Sequence, residues 1–83
     1  MKVRRMNKVR IYIDLININK EIEIFISDNY LLDDAIKDIY TLLNEKYSEN
    51  IKAYYEDYNG LLNITKCIKD IGIEDGDKLI IVS

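Results

Sequence analysis

The sequence predicts an α+β fold in which one sheet of short strands wraps across a single α-helix. Several segments alternate apolar and polar residues, as half-buried strands do, and only one long stretch repeats its apolar residues every three or four positions, as an amphipathic helix does. The chain has 83 residues, which allows one domain with one modest core. A helix with one apolar stripe and strands with one apolar face bury each other best as two layers.

Two strands open the predicted domain. Val9 to Ile16 and Glu21 to Ser27 each alternate apolar and polar residues, and the polar run between them tolerates a turn, so we expect an antiparallel hairpin. A third strand is predicted over Ile51 to Glu56. The hairpin signal Asn59-Gly60 follows, and Leu61-Leu62 forms a short return strand.

One long helix is predicted over Leu31 to Tyr47. Asp28 and Asn29 are candidate N-caps, and Asp33 and Asp34 place negative charge in the first turn, where the helix dipole favours it. The predicted core-facing residues recur at helical spacing: Leu32, Ala35, Ile36, Ile39, Leu42 and Leu43.

The last stretch, Cys67 to Ser83, carries the strongest fold signal. Its acidic turn at residues 74–77 contains Gly76, which suits a positive φ that a β-branched residue would resist. The segment Leu79 to Val82 is rich in β-branched residues and too short for a helix, which predicts a buried final strand. A helical crossover lets a later strand run parallel to the first, so we expect this strand inside the sheet.

The composition argues against several classes of function. The chain has no histidine, so it lacks the usual near-neutral general base and the commonest metal ligand. The single cysteine cannot form an internal disulfide, and no apolar run approaches the roughly 20 residues that a membrane span needs. No apolar run of a secretory signal follows the basic N-terminus. We therefore expect a cytoplasmic protein without enzymatic activity, cofactor or metal.

The charge is unevenly distributed along the chain. Residues 1–10 carry five basic side chains and no acidic one, whereas residues 11–83 carry seven basic and fifteen acidic side chains, a net charge of −8. An acidic body is not expected to bind nucleic acid. We therefore expect a loose basic arm over residues 1–8 and a single domain over residues 9–83.

Three groups of residues resemble sites of chemistry, but a structural role fits each one better. Residues 74–77 lack the further oxygen ligands and the closing Glu of a calcium loop, so they are predicted to form a turn. Asp33 and Asp34 are adjacent on a helix, where their side chains diverge. Cys67 has no histidine to activate it, so we expect a partly buried spacer.

Residues 68–79, IKDIGIEDGDKL, resemble the "L-x-D-x-G-I-x-x-G-D-x-L" ending of ubiquitin-like β-grasp proteins. The resemblance extends over residues 9–82, because the hairpin, the helix and the Asn-Gly turn fall where that fold needs them. It implies a mixed five-stranded sheet of order 2-1-5-3-4 on one helix. It also implies that Asp70 is the turn acid, that Ile68 and Ile73 are core anchors, and that Leu79 and Ile81 face inward.

Within this fold, the chain resembles the YukD/EsaB family. The small size, the Ile13-Asp14-Leu15 ending of the first strand, the Ser27-Asp28 step into the helix and the ending at the last strand carry this resemblance. Members are small cytoplasmic ubiquitin-like proteins associated with type VII secretion in Gram-positive bacteria. The resemblance thus implies an accessory or regulatory component of such a secretion system.

Conjugation and sulfur transfer both need a flexible tail that ends in Gly-Gly, whereas this sequence ends Ile81-Val82-Ser83. Neither activity is therefore expected. Two alternatives stay open: the ubiquitin-like cytosolic domain of a larger membrane secretion protein, and a ubiquitin-like carrier protein whose Gly-Gly tail is missing from this sequence.

The face of the sheet opposite the helix is the predicted binding site. If Ile11, Ile13, Ile24, Tyr55, Leu79 and Ile81 face the helix, alternation directs Tyr12, Phe25, Tyr54, Ile80 and Val82 outward. Scattered exposed apolar residues are normal, but five contiguous ones favour an interface. Lys52 and Glu56 are expected at its polar rim. The expected partner is a protein, either a membrane-embedded secretion component or a second copy of the chain.

Overall fold

The sheet contains five strands. A computed structural model describes residues 7–47, 50–56 and 60–82. The strands are β1 (Lys8–Leu15), β2 (Lys20–Ser27), β3 (Lys52–Tyr55), β4 (Leu61–Leu62) and β5 (Lys78–Val82). The helices are α1 (Leu32–Leu42) and the single turn α2 (Ile68–Ile71), and a 3-10 turn at Ile16–Ile18 joins β1 to β2.

The predicted strand order, 2-1-5-3-4, is confirmed. β1 and β2 form the predicted antiparallel hairpin, from the pair Lys8 and Ser27 to the pair Leu15 and Lys20. β5 lies parallel to β1 and antiparallel to β3, and β3 is antiparallel to β4. The apolar last strand therefore lies between two others, as predicted. The first strand begins at Lys8, one residue before the predicted start of the domain.

The core lies between α1 and one face of the sheet. On the sheet side, the side chains of Ile11, Ile13, Leu15, Ala53, Leu79 and Ile81 are at most 1% exposed. On the helix side, Leu32, Ile36 and Ile39 are buried against them, together with the predicted anchors Ile68 and Ile73. The expected inward-facing residues of β2, Ile22, Ile24 and Ile26, are half-buried and pack on the edge of this core.

The predicted end of the helix is wrong, because α1 ends at Leu42 and not at Tyr47. Asn44 adopts a left-handed conformation with φ of 57°, which asparagine tolerates better than most residues and which stops helical propagation. The amides of Asn44 and Glu45 donate to the carbonyls of Thr41 and Tyr40. These turn bonds satisfy carbonyls that the helix end leaves open.

The predicted N-capping by Asp28 and Asn29 is also wrong. The cap residue is Leu31, and its side chain cannot accept a hydrogen bond. Instead, the first two helical amides, those of Leu32 and Asp33, donate to the carbonyls of Lys66 and Ile64 at 3.1 and 2.9 Å. A connector 31 to 34 residues further along the chain therefore satisfies the helix start, which no local pattern could indicate. Asp33 and Asp34 do lie in the first turn, as predicted.

Two residues of α1 differ from the predicted core pattern. Leu42, predicted to face the core, is 82% exposed, whereas Tyr40, which was not among the predicted core residues, is 4% exposed. Tyr40 is covered because the chain after α1 returns along the helix: the ring of Tyr47 meets the ring of Tyr40 edge-on at 5.9 Å. The Tyr47 hydroxyl donates to Asp33, and burial together with this bond raises the pKa of Tyr47 to about 12.

Glycine and asparagine occupy the tight turns. Gly76 has φ of 90°, as predicted, and Asn19, at the end of the first hairpin turn, has φ of 52°. In the predicted Asn59-Gly60 turn, Asn59 lies outside the described residues. The strands on either side of that turn do pair, with Ala53 opposite Leu62.

The helix face can be tested with two substitutions of unequal size. Ile36→Val removes one methylene from a fully buried side chain and should lower the free energy of unfolding by about 1 kcal/mol. Leu42→Ala removes more atoms but from an exposed side chain, so it should change that energy by less than about 0.5 kcal/mol. Urea denaturation followed by circular dichroism measures both. A larger loss for Leu42→Ala than for Ile36→Val would contradict this placement.

Candidate functional site

The outer face of the sheet, which faces away from α1, carries the residues predicted to bind a partner. Alternation along each strand places them there, because their neighbours in sequence are buried under the helix. Tyr12, Tyr54, Ile80 and Val82 are half-buried, and Phe25 is 61% exposed. All five predicted residues therefore lie on one face, though not in one continuous cluster.

Three of the five lie together on the β3–β5 side of this face. Tyr54 on β3 is directly opposite Ile80 on β5, and Val82 follows two residues further along β5. Leu61 on β4 is directly opposite Tyr54 on its other side and is 64% exposed. We call Tyr54, Leu61, Ile80 and Val82 the apolar patch. Sequence reasoning missed Leu61, although the same alternation places Leu61 outward once Leu62 pairs with Ala53 on the inner face.

The expected continuous stripe of five residues is wrong, because charged side chains separate the other two from the apolar patch. Tyr12 on β1 has Glu23 opposite it on one side and Lys78 on the other. Phe25 is opposite Arg10, and the Lys8 ammonium lies 5.8 Å from the centre of its ring. The outward positions of β1 and β2 are thus mostly charged, and neither Tyr12 nor Phe25 has an apolar residue directly opposite it.

A charged bridge crosses the middle of the outer face. The Lys78 Nζ lies 3.2 Å from Glu21 Oε2 and 3.3 Å from Glu56 Oε2, so it links β5 to residues on both sides. The hydrogen bond to Glu21, and to a smaller extent the one to Glu56, raises the pKa of the Lys78 ammonium. Arg10 and Glu23 form a looser pair at 3.8 Å. Exposed pairs of this kind add little to stability, but they fix which side chains surround the apolar patch.

The two residues predicted for the polar rim both lie beside the apolar patch. Lys52 is directly opposite Val82 and is exposed. Glu56 belongs to the charged bridge, one residue beyond the end of β3. The apolar patch therefore has charged side chains at two of its borders.

The acidic turn at residues 74–77 uses its carboxylates to satisfy backbone amides. Asp75 Oδ1 accepts from the Arg10 amide at 2.8 Å, and Asp77 Oδ2 accepts from the Glu74 amide at 2.8 Å. The Gly76 amide donates to the Arg10 carbonyl at 2.8 Å. These bonds thus pair β1 with residues that precede β5. Among the described residues, no group of three metal-ligating side chains comes together.

The side chains of Asp33 and Cys67 both have partners within the described chain. Asp33 pairs with Lys37 at 3.4 Å, one helical turn away, and also accepts from Tyr47. The half-buried Cys67 thiol lies 3.0 Å from Asp70 Oδ2. These contacts are local and lie away from the apolar patch. No helix within residues 7–47, 50–56 and 60–82 is long and apolar enough to cross a membrane.

Comparison with known proteins identifies the fold. No protein-family model matches the sequence, and no curated protein matches it. Among solved structures, one described as "Molecular Mimicry of SUMO promotes DNA repair" is 16% identical with a TM-score of 0.84, and the match covers 96% of both chains. A ubiquitin-like domain from tubulin-binding cofactor B is 18% identical with a TM-score of 0.77, over 95% of this chain and 92% of that one.

Ubiquitin from Caldiarchaeum subterraneum is 15% identical with a TM-score of 0.75, over 93% of this chain and 94% of that one. The chain therefore has a ubiquitin-like β-grasp fold, with a mixed five-stranded sheet of order 2-1-5-3-4. Identities this low show the fold alone. They give no support to the YukD/EsaB resemblance, which stays a prediction.

The charged bridge makes a prediction about Lys78. Its raised pKa means that the ammonium is favoured in the folded state, so the bridge is fully formed below the ordinary lysine pKa and is lost as pH rises through the raised value. Glu21→Gln should lower the Lys78 pKa more than Glu56→Gln does, because the Glu21 bond is the larger cause. An NMR titration of the lysine side chains measures this.

Glu45→Gln is the matched control, because Glu45 is exposed and follows the end of α1. It should leave the Lys78 pKa unchanged. If the Glu21 and Glu45 variants give the same Lys78 pKa, the bridge across the outer face does not exist in solution.

Proposed function

We propose that this chain is a non-enzymatic protein-interaction module whose binding surface is centred on the apolar patch. The observation that carries the proposal is the arrangement of Leu61, Tyr54 and Ile80 in one row across three strands. Ubiquitin-like domains commonly bind proteins, and this row lies on a sheet face opposite the helix. A half-buried tyrosine beside aliphatic residues is typical of the residues that dominate binding energy at interfaces.

The charged residues around the apolar patch fit the usual arrangement of a protein interface, in which an apolar centre is surrounded by a polar rim. Lys52 and the charged bridge border the apolar patch. Tyr12 and Phe25, beyond the bridge, act as peripheral contacts in this proposal. The five sequence-predicted residues thus all contribute to binding, but Tyr54, Ile80 and Val82 contribute most.

For the biological setting we propose a cytoplasmic accessory or regulatory component of a Gram-positive type VII secretion system. The support is the sequence resemblance to the YukD/EsaB family over residues 9–82. The partner is then a membrane-embedded secretion component, and binding involves no covalent attachment. Genes for a secretion ATPase and small helical secreted substrates should lie beside the gene for this chain. A neighbourhood without them removes the secretion proposal but leaves the binding surface untouched.

The binding surface is tested by removing its centre. Tyr54→Ala combined with Ile80→Ser should abolish capture of the partner from native lysate, because the loss of two central anchors weakens binding by about a hundredfold or more. Titration of the partner identified in this way measures the loss. Circular dichroism should show an intact fold, since both side chains lie outside the core.

Leu42→Ala is the matched control, because it truncates an exposed apolar side chain on the helix side of the molecule. It should leave capture unchanged. Equal capture by the double variant and the unsubstituted chain contradicts the proposal. If sedimentation shows a dimer that the double variant abolishes, the partner is a second copy of the chain.

A further inference from the structure

A cleft lies at the edge of the sheet, where the chain leaves β4 and separates from β3. The ladder between the two strands ends at the pair formed by Ala53 and Leu62. Beyond that pair the chain turns toward the start of α1, because the Ile64 carbonyl accepts from the Asp33 amide at 2.9 Å. The separation leaves a cavity of about 340 Å³.

The cleft has an apolar floor and a polar mouth. It is lined by residues from both sides of the separation: Ile51, Lys52, Leu61, Leu62, Asn63 and Ile64. Ile51 is 6% exposed, and Leu62 and Ile64 are half-buried, so these three form the floor. Lys52 and Asn63 are exposed and form the mouth. A ligand that fits this cleft therefore has an aliphatic part and a polar end.

The mouth offers a positive charge and a hydrogen-bond donor. Asn63 Oδ1 accepts from the Thr65 amide at 3.1 Å and from the Thr65 hydroxyl at 2.6 Å, which leaves the amide NH₂ group of Asn63 to donate. The ion pairs among the described residues do not include Lys52. An ammonium and an amide NH₂ group both donate, so the mouth favours an anionic acceptor such as a carboxylate.

The volume restricts the ligand to a short one. At roughly 30 Å³ for each water molecule, the cleft holds the equivalent of about eleven water molecules. A leucine residue that ends a chain has fewer non-hydrogen atoms than that and fits, whereas a long-chain fatty acid has more and does not. The ligand class that combines a short aliphatic group with a carboxylate is therefore the C-terminal residue of a polypeptide.

We propose that the cleft binds the C-terminal residue of a partner protein when that residue is leucine, isoleucine or valine. Its side chain packs on the apolar floor, and its carboxylate accepts from Lys52 and Asn63, as in other proteins that capture a chain end. The choice of a polypeptide rests on the proposed function, because Leu61 belongs to both the cleft and the apolar patch and one partner can cover both.

The test uses three synthetic peptides that differ only at the C-terminus. Acetyl-GSGSL has a free carboxylate, its amidated form lacks the charge, and acetyl-GSGSS keeps the charge and lacks the aliphatic side chain. NMR titration of the isotope-labelled protein should show that each change weakens binding about tenfold, as loss of a charge-assisted hydrogen bond or of a buried leucine does. The largest amide shifts should occur at Lys52, Leu62 and Asn63.

Two variants locate the carboxylate. Lys52→Gln should weaken binding of the free leucine peptide about tenfold and leave that of the amidated peptide unchanged. Lys20→Gln is the matched control, because Lys20 is also an exposed lysine of a strand, on the opposite edge of the sheet, and it should have no effect. Asn63→Asp keeps the oxygen that Thr65 uses but replaces the donating NH₂ group with a charged oxygen, so it should abolish binding.

Three results would overturn the proposal: equal affinity of the free and amidated leucine peptides, no effect of Lys52→Gln, or shifts centred on β2. Binding of hexanoate as tightly as the leucine peptide would assign the cleft to a small acid instead. Tyr54→Ala combined with Ile80→Ser should leave binding of the leucine peptide unchanged, since neither residue lines the cleft. The peptides thus test the cleft, and capture by that double variant tests the apolar patch, so the two proposals fail separately.

Discussion

The parallel pairing of β1 with β5 is the constraint on which the rest of the structure depends. Ile13 lies beside Leu79 and Leu15 beside Ile81, and all four side chains are at most 1% exposed. Because successive residues of a strand point to opposite faces, burying these four assigns Asp14 and Ile80 to the other face. The pairing therefore creates the core and the outer face at once. A shift of one residue in either strand would turn its buried side chains to the outer face and its outer side chains into the core.

A second constraint holds α1 over the sheet. The segment before α1 and the segment before α2 exchange backbone hydrogen bonds in both directions: Leu32 donates to Lys66, while Ile68 and Lys69 donate to Tyr30 and Asp28. These bonds replace a side-chain N-cap and bring Ile68 into the core at 0% exposure. The start of the helix and the motif before β5 are thus one interlocked unit, and the helix faces the inner side of the sheet for this reason.

The fold could be predicted because its signals are local. Alternation in β1, β2 and β5 assigned the isoleucines to their correct face, and the motif at residues 68–79 placed Ile68, Ile73 and Gly76 correctly. The errors came from contacts that lie outside the repeating pattern of the helix. Tyr40 is buried by Tyr47, and the helix start is capped by a connector, so neither could be inferred from helical spacing.

The candidate site, too, could be predicted only in part from the sequence. Alternation gave the outward direction of Tyr54 and Ile80, but their grouping with Leu61 depends on the register of β3 with β4. The separation of Tyr12 and Phe25 depends on Lys78 bridging Glu21 and Glu56 from different strands. Cross-strand register is a tertiary property, which explains why the sequence indicated a continuous stripe where the structure has an apolar patch and a charged bridge.

The division of the isoleucines between two faces is tested most directly by methyl NMR with a soluble gadolinium chelate that does not bind the protein. We expect the chelate to relax the methyl groups of the half-buried Ile80 more strongly than those of Ile13 and Ile81, which are at most 1% exposed. Protection of Ile80 together with relaxation of Ile13 would contradict it, because the sheet would then present its other face to α1.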